Sequence, residues 1–213
     1  MKKYILVEGI TDVAFIKYVC LINGISQKFD DFTKTGNTYK FNNLHIINLN
    51  GENNLFKKGL NYLESREAEI SKIYIIQDAD KIPEDSQNYI EEEIKKSSIN
   101  RDKIKTFLTP NNKDKGDLET LLLSTIKTNN IVECFNDYKK CLLSKQEVHP
   151  KALNKGQVYA YTMYSQKGEN LHKPQDSFMF KKDAQFIDTQ LWDLEKEEFQ
   201  PIIKFILEIF QNN

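Results

Sequence analysis

Lys3-Tyr-Ile-Leu-Val-Glu-Gly-Ile-Thr-Asp12 is the stretch that decides the fold. Tyr4 to Val7 is an apolar run without alternation, the pattern of a strand buried on both faces of a parallel sheet. Glu8 and Gly9 end the strand, and Thr11 is placed to N-cap the helix that follows. Asp12 falls in the first turn of that helix, where a carboxylate complements the dipole. Carboxylates at the strand's C-terminal end and one turn away are thereby aimed at one crevice, the place where open α/β sheets bind ligands.

The same design recurs in Lys72-Ile-Tyr-Ile-Ile-Gln-Asp-Ala-Asp80. Ile73 to Ile76 is again a continuous apolar run, and it delivers Asp78 and Asp80 at its end. Residues two apart in an extended segment point to the same side, so both carboxylates are expected to face one ion. Two further runs, Leu44 to Leu49 and Ile104 to Leu108, read as core strands. The amphipathic stretches between them, 13–22, 55–70 and the acidic surface helix 84–96, read as helices on both faces. Strands alternating with helices make a parallel, right-handed β-α sheet of about four strands. Asn23-Gly24 closes the first helix, with Gly24 at the C′ position. Residues 26–43 are polar and without sustained period, a long loop with room for a short hairpin.

The chain has 213 residues, 39% hydrophobic and 29% charged, with a formal net charge of −1. That length suits an α/β core over 1–126 followed by a helical C-terminal extension over 127–213 packed on it. In the extension, Val132, Phe135, Tyr138 and Leu142 share one helical stripe. Residues 148–164 read as helical, Trp192 as a packing anchor, and Phe199 to Phe210 as a last helix with Pro201 in its first turn. No apolar run reaches the eighteen or so residues of a membrane span, and the Met-Lys-Lys start runs straight into a strand, so a cytoplasmic location is expected. The near-zero net charge excludes a global basic field, and any nucleic-acid contact must rest on local patches. Cys20, Cys134 and Cys141 contain no C-x-x-C and read as small buried hydrophobes in a reducing compartment. His45, His149 and His172 are scattered singly, which argues against zinc. The turn at Gly51 lacks the P-loop spacing, although Asn50 and Asn53 are placed to meet a phosphate.

Glu8, Asp12, Asp78, Asp80 and Glu119 all fall at predicted strand ends or in the turns after them. Five carboxylates at one crevice repel each other, and a fold tolerates this when divalent cations neutralise them. Oxygen ligands without His or Cys select a hard ion, Mg²⁺ first and Mn²⁺ second. A hard ion with open water positions suits phosphate esters, so phosphodiester chemistry on nucleic acid is expected. Lys113 and Lys115, in the loop before Glu119, and Lys151 and Lys155, on the following helical segment, are the candidate cations for a substrate backbone.

Glu8-Gly9 with Asp12, followed by Asp78-Ala-Asp80, resembles the Toprim domain of topoisomerases, primases and OLD-family nucleases over residues 3–125. Phe107-Leu-Thr-Pro-Asn-Asn-Lys-Asp-Lys-Gly-Asp-Leu-Glu119 resembles one uncharacterised branch of that superfamily, in which a strand ending in Pro-Asn leads to a Gly-x-Leu-Glu helix start. The resemblance implies a Toprim-like three-layer fold. It also implies Asp78 and Asp80 as the Asp-x-Asp metal ligands, Glu8 as ligand or general acid/base, Asp12 as a second acidic position and Glu119 as a residue holding a second ion. A metal-dependent nuclease of the OLD-like group is the expected activity. The alternatives are a non-catalytic Toprim-like module that binds nucleotide or nucleic acid beside a partner, and an acidic cleft for a basic peptide. The chain contains no Walker sequence, so an ATPase of the kind that accompanies OLD-type modules would act in trans.

Overall fold

A computed structural model describes residues 1–51, 54–126, 130–145, 150–164, 192–193 and 195–211. Six strands, β1 (Lys2–Val7), β2 (Thr33–Thr35), β3 (Thr38–Phe41), β4 (Leu44–Asn48), β5 (Ile70–Asp78) and β6 (Ile104–Thr109), form one mixed sheet. Their spatial order is β2-β3-β4-β1-β5-β6. The four strands expected from the apolar runs are the parallel part, with β1 central between β4 and β5 and β6 outside β5. The sheet is larger than the expected four parallel strands, because the stretch read mainly as loop supplies an antiparallel hairpin, β2 and β3, against β4. Gly36, at φ +58, makes its turn. Phe32 and Tyr39 bury against the core, and Phe32 stacks on Phe41 at 4.9 Å.

The helices among the described residues are α1 (Ile10–Ile22), α2 (Asn61–Glu64), α3 (Pro83–Lys95), α4 (Leu118–Ser124), α5 (Asn130–Ser144), α6 (Pro150–Tyr164) and α7 (Gln200–Gln211). Successive strand residues feed opposite layers. Ile5, Val7, Tyr74, Ile76 and Phe107 join a core with α1, α4 and α7, whereas Tyr4, Leu6, Ile73, Ile75 and Leu108 join one with Leu60, Leu63, Ile90 and Ile94. Each buried aliphatic or Phe side chain contributes about 1.5–3 kcal/mol, so a one-residue slip that exchanged the faces would damage both cores.

Several local features depart from the sequence reading. The helix expected over 55–70 is a π-helical segment, Leu55–Leu60, followed by the single turn of α2. Gly59 presses this segment on the sheet, where an added Cβ would lie 2.9 Å from Leu6 Cδ1 and 3.1 Å from Leu49 Cδ2. In α3, expected wholly at the surface, Glu93 is buried, accepts from the Phe56 amide at 3.2 Å and pairs with Lys96. Its carboxylate satisfies an amide that the irregular π turn exposes. Cys20 is buried, and burial pushes its thiol up to about 12, but Cys134 and Cys141 are exposed on α5. Trp192 is buried edge-on to Tyr161 at 5.3 Å, as a packing anchor would be. The last helix shares the core of β1 and α1, and Lys3 Nζ donates to the Ile209 carbonyl at 2.6 Å. No helix among the described residues is long and apolar enough to cross a membrane. His149, His172 and Asn53 lie outside the described residues.

Candidate functional site

The site is built on the C-terminal ends of the parallel strands. After Val7 the chain turns through Glu8 and Gly9 into α1, whose N-cap is Gly9 and not Thr11. Asp12 decides the difference: its Oδ2 accepts the Gly9 amide at 2.8 Å, closing the first turn one residue pair earlier than expected. The turn after β4 is tied to the same place, since Leu49 N donates to the Val7 carbonyl and Gly51 N to the Glu8 carbonyl at 3.0 Å. Glu8 is half-buried, and its Oε2 is shielded from solvent.

The strand β5 ends at Asp78, a buried side chain whose Oδ1 accepts the Leu118 amide of α4 at 3.3 Å. Two residues on, Asp80 has φ +50 and exchanges both backbone hydrogen bonds, 2.8 Å each, with Gly116. The alternation expected to align Asp78 with Asp80 therefore stops at Asp78, because the left-handed residue turns the chain. Gly116, at φ +144, latches the β6–α4 loop on this turn, and its absent side chain leaves room for Thr120. Asp117 then caps α4, accepting from Thr120 N at 2.7 Å and Thr120 Oγ1 at 2.6 Å. Glu119 follows, buried in the first turn. Lys113 and Lys115 are exposed in the loop that leads there. Asn111 folds the loop on itself by accepting from the Lys113 and Asp114 amides.

Electrostatics join the two halves. Burial pushes the Asp12 carboxyl up to about 7; Glu8 and Glu119 add to the rise, while the Gly9 hydrogen bond and Lys155 oppose it. Lys155, from α6, places Nζ 3.9 Å from Glu119 Oε1. The neighbouring Asn154 bonds Thr120 Oγ1 at 3.3 Å and accepts from Lys139 at 2.7 Å, which fastens α6 and α5 to the start of α4. Glu8, Asp12, Glu119 and Lys155 thus act on one another, and Asp78 reaches the same helix start. Lys151 belongs to α6, and its side chain lies outside the described residues. Among the described residues, no three His, Cys, Asp or Glu side chains stand close enough together to hold an ion as they are. The donor set itself, carboxylate oxygens at an edge where burial first and neighbouring carboxylates second push Asp12 up to about 7, fits a hard divalent cation.

Eleven polar or charged side chains are buried among the described residues, and six of them, Asn48, Gln77, Asp78, Thr109, Asp117 and Glu119, stand at this edge. Burying polar groups is costly unless they are satisfied, and here Asn48 accepts the Asn50 amide, Asp78 the Leu118 amide and Asp117 the Thr120 amide. Asn48, Gln77, Thr109 and the capping role of Asp117 do not follow from the motif reading. The available signal was positional for three of them: Gln77 and Thr109 follow apolar runs and Asp117 precedes a helix, whereas Asn48 lies inside the run Leu44 to Leu49. The opposite edge has a shallow depression lined by Met1, Lys2, Asn42, Asn43, His45 and Glu69, away from these groups. A family model described as "Protein of unknown function (DUF3226)" matches residues 2–211. No match was found among curated proteins, and none among solved structures.

Proposed function

We propose that this chain, which belongs to the DUF3226 family, is a Mg²⁺- or Mn²⁺-dependent phosphodiester hydrolase acting on nucleic acid, a nuclease of the Toprim, OLD-like kind. The observation that carries the reading is the gathering of buried polar groups and mutually repelling carboxylates at the C-terminal edge of the parallel strands. Glu8, Asp12, Asp78, Asp80 and Glu119 are the residues that would hold one or two ions there. A bound ion supplies polarisation of the phosphate oxygens and spreads the charge developed as the ester breaks.

The protein's own groups divide the remaining work. Exposed Lys113 and Lys115 attract and hold the substrate backbone from the loop before α4. Lys155 offsets part of the negative charge at Glu119 and lies within reach of a phosphate that enters the crevice. Asp12 exchanges a proton near neutral pH, which suits it to general acid/base work when it is not engaged as a ligand. The Asp80–Gly116 backbone bridge and the Asp117 cap hold both acidic segments in register with each other.

A second reading, a non-catalytic module that binds nucleotide or nucleic acid beside a partner such as an ATPase in trans, is favoured by one observation. Lys155 already lies beside Glu119, and among the described residues no three acidic side chains stand together as an ion cage. Incubation of the purified chain with labelled single- and double-stranded DNA and RNA, in Mg²⁺, Mn²⁺ or chelator, separates the two. Ion-dependent cleavage with an ion-dependent rise in Tm is expected. Binding without cleavage under every condition would establish the second reading instead.

A further inference from the structure

Gln77 has no place in the metal-site reading, and its surroundings give it one. It is the last residue but one of β5, only 9% exposed, and its carboxamide makes no hydrogen bond to any described residue. Val7 pairs with Ile76, so one residue further on the two adjacent parallel strands place Glu8 on one chain and Gln77 on the other. Asp78 follows on the opposite face, where it meets α4. The end of β5 is therefore flanked by a carboxylate on one face and an uncommitted amide on the other. The side chain is mostly covered while its amide tip reaches solvent at the edge, so both N–H donors remain open to an incoming acceptor.

We propose that Gln77 is a substrate-positioning residue whose Nε2 donates to a non-bridging oxygen of the phosphodiester entering the crevice beside Glu8. The assignment rests on the hydrolase reading and adds to it the neutral donor that reading lacks. Acceptors are in excess at this edge, and an anionic ester requires donors. Lysines provide them, but Lys155 is already set against Glu119, and Lys113 and Lys115 stand exposed on the loop before α4. A carboxamide donates without carrying charge, so it holds the ester without neutralising the groups that bind an ion. Thr109, buried beside Asp78 in the β5–β6 register, likewise has a hydroxyl with no hydrogen bond among the described residues.

The test compares wild type with Gln77→Leu, and with Gln77→Met should the branched residue unfold the chain, using whichever fluorescein-labelled oligonucleotide wild type cleaves in Mg²⁺. Removing an amide that bonds no described residue should leave Tm level, and the Mg²⁺-induced rise in Tm should persist. KM should increase about tenfold with kcat within about threefold, as expected when a contact made in both ground and transition states is lost. A KM within about twofold of wild type would overturn the assignment while leaving the hydrolase reading intact. A falling Tm together with loss of the Mg²⁺ response would show that Gln77 supports the fold or the ion, and would overturn it too. Failure of wild type to cleave any strand with either ion would remove the hydrolase reading, and the Gln77 assignment with it.

Discussion

The two ends of the parallel strands carry charge in opposite ways. At the N-terminal ends, Lys2 pairs with Glu69 at 2.5 Å, Lys103 with Glu67 at 3.4 Å, and Lys72 Nζ donates to the Asp102 carbonyl at 2.7 Å. Lys2 holds the Glu69 carboxyl below the usual range, and the Asn100 amide, with help from Lys103, does so for Glu67. At the C-terminal ends the direction reverses, and Asp12 is pushed up to about 7 by burial and by two neighbouring carboxylates. One edge satisfies its charges from within the chain. Among the described residues the other gathers carboxylates about Asp12 with Lys155 set against Glu119, the arrangement on which the proposed ion site rests.

The contrast breaks most sharply at Asp78. On the proposed reading, Asp78→Asn or Asp80→Asn lowers cleavage about a hundredfold or more, because a neutral amide replaces a carboxylate ligand of a hard ion. Metal-free Tm should stay level or rise as repulsion is relieved, while the Mg²⁺-induced rise shrinks with ion affinity. Thermal shift with and without Mg²⁺, read beside cleavage, checks both. Full cleavage by Asp78→Asn would place the chemistry elsewhere.

A smaller effect belongs to Asp12. Its folded pKa lies above its unfolded value, so the folded state binds more protons between about pH 4 and pH 7. The contribution of this group to stability is therefore present at low pH and is lost as pH rises through about 7. In chelator, Asp12→Asn should gain stability relative to wild type as pH rises over that window, and denaturant titrations at pH 5 and pH 8 measure the difference. An unchanged difference between the two pH values would contradict the crowding at this edge.

The smallest effects compare a lysine from each edge. Lys155→Met should weaken nucleic-acid binding several-fold and reduce its salt dependence by about one phosphate contact, and Lys115→Ala should do the same. Lys2→Met removes an exposed pair and should move Tm by no more than about 2 °C, with binding unchanged. Anisotropy titrations over a salt series distinguish them, and equal losses from the two edges would erase the contrast.

Much of this was readable in the sequence where one physical rule governed. Tyr4–Val7, Ile73–Ile76, Leu44–Leu49 and Ile104–Leu108 are strands because they must be buried on both faces, and the acidic residues after them mark the crevice edge. The reading weakened where local chemistry competed. Asp12 bonds the Gly9 amide and moves the helix start, which a preference for Thr at the N-cap does not anticipate. Asp80 leaves the strand geometry because Gly116 binds its backbone, a contact between residues distant in sequence. The β2–β3 hairpin depends on Phe32 and Tyr39 finding a core supplied by other elements. Gln77 is legible as the polar residue that ends an apolar run, but its burial, like that of Asn48, comes only from the packed sheet.

Anomalous diffraction from crystals soaked in Mn²⁺ tests whether the C-terminal edge binds a divalent cation, as proposed. One or two anomalous peaks coordinated by carboxylate oxygens from Glu8, Asp12, Asp78, Asp80 and Glu119, at about 2.0–2.2 Å with water completing each shell, are expected. Peaks confined to other parts of the surface, or a crevice without an ion while Lys155 keeps its contact with Glu119, would contradict it.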